Sequence, residues 1–368
     1  MKNFTSVDYL LKHTRANIYC LIRSKKGTDP QTRLLDVLHF YFGNKYDKLI
    51  FKRLFVVEGD ISKKSLGISK IFFNDLGSDI DCVINAAAVV KHYGKSNIFT
   101  ETNIEGTKNI IDFCNKFSCK LIHISTLSVC GNIFETNEYT VANLSQNINF
   151  TEKNLFIGQD LSNIYIYTKF LAERLVLESI LNDNLNAKII RLGNITNRYS
   201  DGKFQINVSE NAFINRIKSF LQIGCIPEYM TDGYIEFTPV DLCAEAIVKL
   251  CFTKTNNSIF HVYNNNHITF ENILLLFKKF GINIDIVTES KFNKKIKKLL
   301  QSDNSKSNLS GIINDFDNNK KLSYKTNIKI SNNITNKLLK KLSFKWSKID
   351  SKYIKKYIVY LKSIGYLE

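Results

Sequence analysis

Short β-branched apolar runs alternate with amphipathic stretches through the first half of the chain, and that alternation predicts a parallel sheet with crossover helices. Asn17–Ile22, Leu54–Glu58, Cys82–Ala88, Lys120–Ser125 and Ala187–Leu192 read as strands. Between them the 3.6-residue period predicts helices over Gln31–Phe42, about 107–117, and from the segment around Tyr165 to about Leu181. The expected fold class is therefore α/β, a doubly wound parallel sheet. From Gly202 the pattern loosens, then recovers with a helix after Pro239-Val-Asp241 and a strand at Ile259–Tyr263. The rest mixes helices with Asn/Lys/Ser-rich stretches, notably Gln301–Ser310, and closes on an amphipathic helix over Lys352–Ile364. This organisation predicts a dinucleotide-binding unit from residues 1–205 and 235–265, and a smaller substrate unit from 206–234 and 266–368.

Composition narrows the class. At 368 residues and 44% hydrophobic content the chain can bury a full core. No apolar run reaches the roughly 20 residues of a membrane span, and the start lacks a signal-peptide pattern, so a cytoplasmic protein with no membrane partner is expected. The eight cysteines never form Cys-x-x-Cys and the six histidines show no ligand spacing, so no metal is expected. The formal net charge of +17 invites a nucleic-acid reading. Against it, the lysines are spread along the chain; Asn293-Lys-Lys-Ile-Lys-Lys298 is expected on a solvated helix face with Leu299 and Leu300 packed beneath. A field of this sign also steers toward acidic partners.

Tyr165 and Lys169 stand four residues apart at a helix start, so both side chains leave one face and an ammonium there lowers a nearby phenol pKa. The same spacing recurs at Tyr41/Lys45 and Tyr199/Lys203, so context decides. In doubly wound sheets ligands sit beyond the carboxyl ends of the strands. There, Arg23 suits a ribose 2′-phosphate, with Arg33 a second candidate, and Asp60 and Ile61 flank the place of an adenine ring. Ala86 and Ala87 let a dinucleotide approach the backbone, and Ser125 and Thr126 present hydroxyls to the same crevice. Leu192, Gly193 and Asn194 stand where backbone meets a carboxamide. Asn103 is expected to brace a loop, and Arg198–Gly202 to shape the substrate entrance.

These residues, in this order, resemble the extended short-chain dehydrogenases/reductases, and among them the terminal thioester reductase domains of nonribosomal peptide synthetases, related to carboxylic acid and fatty acyl reductases. The resemblance runs through Tyr19–Arg23, Gly59-Asp60, Val83–Ala88 with Lys91–Gly94, Asn103–Thr107, His123–Val129, the Tyr165/Lys169 pair, Arg191–Phe204, Glu236–Asp241 and Tyr360–Glu368. It implies catalytic roles for Thr126, Tyr165 and Lys169, NADPH as cofactor, and a substrate held as a thioester on the phosphopantetheine arm of an acyl or peptidyl carrier protein. The nicotinamide would deliver hydride to the thioester carbonyl, Thr126 and Tyr165 would hold its oxygen, and loss of the thiol would leave an aldehyde, or an alcohol after a second round. Rival readings are a truncated or non-catalytic remnant of such a domain, and an acyl-CoA or sugar-nucleotide enzyme of the same superfamily.

One departure stands at the front. Such enzymes open with a strand and Gly-x-x-Gly-x-x-Gly, whose amides hold the pyrophosphate. Here Ser6–Lys12 already reads as the helix after that loop, with Asn3 at the place of its last glycine. Without a first strand, Asn17–Ile22 and Cys82–Ala88 lose a shared neighbour. The expectation is a fragment or mis-started reading of a longer protein, or another segment filling the gap.

Overall fold

A computed structural model describes residues 2–24, 27–90, 96–131, 148–301, 309, 311–312 and 328–367. Lys25, Lys91–Gly94 and nearly all of Gln301–Ser310 lie outside the described residues. Six strands carry the expected pattern: β1 (Ile18–Ile22), β2 (Leu54–Glu58), β3 (Cys82–Asn85), β4 (Lys120–Thr126), β5 (Ala187–Leu192) and β6 (Ile259–Val262). They are framed by the helices α1 (Lys2–His13), α2 (Pro30–Phe42), α3 (Lys70–Asp79), α4 (Gly106–Phe117), α5 (Ile164–Asn182), α6 (Ala212–Ile223), α7 (Val240–Cys251), α8 (Phe270–Lys278), α9 (Glu289–Leu300), α10 (Asn333–Lys341) and α11 (Ser351–Ser363).

Local chemistry explains several boundaries. The Asp29 carboxylate caps α2 by accepting from the amides of Gln31 and Thr32, and Pro30 occupies the first turn, where its missing N–H costs nothing. Asn163 caps α5 in the same way, accepting from the amides of Tyr165 and Ile166, and so fixes the turn that carries Tyr165.

The doubly wound sheet is divided. β3, β4, β5 and β6 form one parallel sheet in the order β6-β5-β4-β3, whereas β1 pairs only with β2 among the described residues. Between β1 and β3 lies a cavity of about 640 Å³, lined by residues 16–22 on one side and 79–87 on the other. Helix α1 packs on α7, and Ser6, Val7 and Leu10 of α1 face the same cavity.

Two buried apolar clusters flank the sheet. One joins Ile122 and Ile124 of β4 and Ile190 of β5 to Ile247 of α7, and another joins Leu121 and Ile189 to Phe113 of α4. A separate cluster unites Phe204, Ile214, Phe237, Phe270, Phe292, Tyr353 and Tyr357, drawn from the segments expected to build the smaller unit together with neighbouring Phe204 and Phe237. Leu339, Phe344 and Trp346, also expected there, pack instead against the sheet with Val240 and Phe260. Ile328–Ile330 reaches further, pairing in parallel with Ile148–Phe150. On α9 the packed face is Phe292 and Ile296, with Leu299 partly buried beside them; Leu300, expected beneath the lysines, is 42% exposed because the helical period carries it off that face.

Candidate active site

Thr126 ends β4 and caps the following turn through its hydroxyl, which accepts from the Ser128 amide at 3.1 Å. Its side chain also stands beside the Tyr165 phenol, where it favours the ionised form. Tyr165, in the first turn of α5, is buried, and burial pushes its pKa up to about 12, the Thr126 side chain opposing. The four-residue spacing alone predicts a lowered phenol. Desolvation of the phenolate outweighs the effects that favour it, so Tyr165 carries its proton throughout the neutral range.

Lys169, one turn on, is also buried and donates to the Ile124 carbonyl at 2.8 Å and to Nε2 of His123 at 3.2 Å. Burial, then the Lys169 ammonium, hold the His123 ring well below its usual pKa, so the ring is neutral. An ammonium only donates, so Nε2 accepts and the ring proton sits on Nδ1. Nδ1 faces the Asn85 amide at 3.5 Å, an arrangement that suits the amide oxygen turned toward it. Sequence marks His123 and Asn85 only within the stretches that carry the family resemblance; both stand on strands beneath the site.

The other predicted positions fall around the carboxyl ends of the strands. Arg23 follows β1 with its side chain largely exposed, 3.8 Å from the Asp60 carboxylate. Arg33 donates to the Arg23 main-chain carbonyl and so ties α2 to that loop. Asp60 accepts from the amide and hydroxyl of Ser62 at 2.9 and 2.8 Å, and Ile61 is buried against Gly106. Ala86 and Ala87 follow β3 and line the cavity beside β1. Ser125 is buried, and its hydroxyl has no hydrogen-bond partner among the described residues. Leu192 is buried at the end of β5.

Gly193 and Asn194 sit against Glu236. A Cβ on Gly193 would lie 2.6 Å from the Tyr263 Cβ as well as 2.4 Å from a Glu236 carboxylate oxygen, so only glycine fits. The Asn194 amide, expected to meet a carboxamide, donates to Glu236 at 2.9 and 3.1 Å, and a carboxylate is the stronger acceptor. Burial raises Glu236 to about 7 against the hydrogen bonds from Thr238 and Asn194. Periodicity gives no sign of this residue, which precedes Phe237 in a stretch without regular pattern.

One support is not readable from periodicity. Arg191 and Glu173, both fully buried, form an ion pair, with Nη2 2.7 Å from Oε2 and Nε donating to both oxygens. The pair fixes α5 to β5, one turn beyond Lys169 on the helix. Asn103 braces as expected, exchanging hydrogen bonds with the main chain of Val89 and donating to Thr168 at 3.0 Å. The Arg198–Gly202 loop is held by Asp241, which accepts from the amides of Tyr199 and Ser200 at 2.8 and 3.0 Å. Its Tyr199/Lys203 pair is spent structurally, Lys203 donating to the Phe40 carbonyl at 3.0 Å.

The donor set fits a nicotinamide dinucleotide at its two ends: a strand-end arginine beside small residues at one, an unpartnered buried serine next to a threonine and a protonated tyrosine at the other. Among the described residues no glycine-rich turn stands between them.

A parallel sheet of this order, with a hydroxyl–tyrosine–lysine constellation at its carboxyl ends, defines an extended short-chain dehydrogenase/reductase of the thioester reductase type. The chain belongs to the male sterility protein family, whose profile matches residues 6–247, a family of NAD(P)-binding oxidoreductases. Among solved structures it is similar to a thiolation-reductase di-domain from an archaeal non-ribosomal peptide synthetase, 31% identical with a TM-score of 0.84, covering 100% of this chain and 74% of that one. The terminal R domain of the myxalamid PKS-NRPS pathway shares the fold, at 22% identity and a TM-score of 0.83, covering 100% of this chain and 89% of that one. A linear gramicidin synthase polypeptide of Brevibacillus parabrevis is 25% identical over 281 residues, 76% of this chain and 5% of that protein. The large subunit of L-2-aminoadipate reductase from Eremothecium gossypii is 22% identical over 95% of this chain and 25% of its own length. The chain thus spans a small part of these two relatives.

Proposed function

We propose that the chain reduces an acyl or peptidyl thioester, presented on the phosphopantetheine arm of a carrier protein, with NADPH as reductant, and releases an aldehyde. The observation that carries this reading is the buried pair of Tyr165 and Lys169, one turn apart on α5, with Thr126 at the end of β4 beside the phenol. Thr126 and Tyr165 bind the thioester carbonyl oxygen and stabilise the charge that grows on it. Tyr165, protonated because burial disfavours its phenolate, donates a proton to that oxygen. Lys169, held by Ile124 and His123 one turn beyond Tyr165, would orient the ribose hydroxyls of the cofactor. Ser125, with its unpartnered hydroxyl, would hold the cofactor at the same end, and Arg23 would receive a 2′-phosphate. When bound, the cofactor supplies the hydride. Breakdown of the resulting hemithioacetal expels the thiol of the carrier arm. The carrier partner is supported by the thiolation-reductase di-domain to which the chain is similar.

The test mixes the purified chain with NADPH and an octanoyl thioester on a phosphopantetheinylated carrier protein, and follows nicotinamide absorbance together with aldehyde formation. Consumption of NADPH matched by aldehyde is expected. Tyr165→Phe is expected to lower kcat by about 10²- to 10⁴-fold with Tm unchanged. No NADPH consumption under any carrier loading overturns the reading. A second reading, a sheet that retains the fold without cofactor binding, is favoured by the cavity beside β1. Titration with NADPH, followed by the fluorescence of Trp346, separates the two.

A further inference from the structure

Beyond the carboxyl end of β5 the main chain is already engaged. The Gly193 amide donates to the Val262 carbonyl at 3.2 Å, the Asn194 amide donates to Glu236, and the Asn194 carbonyl accepts from the Thr238 amide at 3.0 Å. A carboxamide arriving at Gly193-Asn194 finds these three groups in use, and the polar side chain standing against them is Glu236. Its Oε1 accepts from both the Thr238 hydroxyl and the Asn194 amide, while Oε2 accepts from the Asn194 amide alone among the described residues. Each carboxylate oxygen offers two acceptor positions, so Oε2 keeps one for a further partner.

Sheet register places this carboxyl near the reacting groups. Thr126, Leu192 and Val262 share one row across β4, β5 and β6, with neighbouring strands about 4.8 Å apart. Gly193 and Tyr263 follow one residue on, and Glu236 packs against Gly193 there. It is part-buried, recessed at the strand ends and not sealed beneath them. The side chain and main chain that hydrogen-bond it, Thr238 and Asn194, are both neutral. Of the titratable groups around it, Tyr263 on β6 has its phenol pushed up by burial and then by Glu236 itself, and stays neutral. His267, stacked on Tyr263 at 6.0 Å, is held below its usual range by burial. Along the row, Tyr165 beside Thr126 keeps its proton. Burial raises Glu236 to about 7, so among these groups it is the one that changes charge around neutrality.

We propose that Glu236 is a cofactor-selectivity residue, whose carboxyl meets the carboxamide end of a bound nicotinamide and discriminates between the oxidised and the reduced ring. The discrimination follows from charge. An oxidised ring is cationic and a reduced ring neutral, so a carboxylate beside it favours the oxidised form, and a neutral carboxyl removes that preference. Both states of Glu236 hold a carboxamide. As a carboxylate, Oε2 accepts from the NH2 group; as the acid, Oε2 carries the proton, because Oε1 already accepts two, and donates to the carboxamide oxygen. A reductase that takes up reduced cofactor and releases oxidised cofactor is served by the acid form. The inference rests on the reductase reading for the presence of a nicotinamide, and on no step of the thioester chemistry.

Calorimetric titration of the full chain with NADP+ and with NADPH, at intervals from about pH 6 to about pH 8.5, tests it. The ratio of the two dissociation constants is read, because contributions from the adenine end and the 2′-phosphate are common to both forms and cancel. Preference for NADP+ over NADPH is expected to grow about tenfold across this range, the size of one charge pair in a partly solvated site. Glu236→Gln keeps an acceptor for Asn194 and Thr238 without the charge, and is expected to hold the ratio constant; Glu236→Asp keeps the charge and is expected to retain the pH dependence. A ratio that does not vary with pH in the unmodified chain overturns the proposal, and so does a Glu236→Gln chain whose ratio still varies. Equal loss of affinity for both forms at every pH on Glu236→Gln marks a purely structural carboxyl and overturns it as well. Binding of neither form at any pH overturns the reductase reading and this inference together, whereas a flat ratio with measurable binding removes this inference alone.

Discussion

At the scale of single residues, the site is governed by where charge is tolerated. Tyr165 is kept protonated by burial, His123 neutral by burial and a neighbouring ammonium, and Glu236 is raised to about 7 by burial. The Glu236 shift has a consequence for stability. Its folded pKa lies above the usual carboxyl value of 4.5, so the folded state binds the proton more tightly than the unfolded chain. The contribution is full below about pH 4.5 and is lost as pH rises through 7. Glu236→Gln is therefore expected to remove a fall in Tm between pH 5 and 8, with little effect at pH 4.5; identical Tm profiles for both proteins would contradict this. None of the three shifts is readable from sequence, because each depends on what covers the residue.

At the scale of elements, the position of Tyr165 rests on α5 and its attachment to the sheet. Arg191 and Glu173 are fully buried and satisfied by each other, with His261 and the Asn154 carbonyl completing the arginine and Phe150 stacked on its guanidinium. Removing one partner strands a buried charge, so Glu173→Gln is expected to cost about 3–5 kcal/mol in unfolding free energy. Urea denaturation measures it, and a loss below about 1 kcal/mol would show the arginine to be solvated by another route. The strands and helices of the sheet region were legible because hydrophobic period and cap residues agree there: Asp29 with Pro30 before α2, Asn163 before α5. The pairing of Ile148–Phe150 with Ile328–Ile330 was not, since three-residue strands so far apart in sequence carry no period of their own. The same holds for Phe344 and Trp346, whose place against the sheet is set by α10 rather than by local pattern.

At the scale of the molecule, the order of the sheet and the gap within it are readable together, because the strand pattern is regular and the gap is central. The catalytic candidates were legible as a set and not singly: Tyr41, Tyr165 and Tyr199 share one spacing, and only Tyr165 meets a threonine at a strand end. Charge is the other whole-molecule property. The net charge of +17 is carried over many exposed lysines, and a field of that sign acts on the encounter with an acidic partner more than on the chemistry. With a carrier-bound thioester, kcat/KM is expected to fall about tenfold between 50 mM and 300 mM salt, while a small free thioester shows little change. Equal salt dependence for both substrates would place the effect elsewhere.

Three of the thiols offer something of a different kind. Cys20, Cys82 and Cys251 all border the cavity beside β1, and burial lifts the first two to about 12 and 11 and the third higher still. Thiolate is scarce at each, so alkylation by a maleimide is slow and quickens as the region opens. Labelling rates at these three sites, read by mass spectrometry against the remaining cysteines, form an intrinsic footprint of that opening, and require no engineered probe.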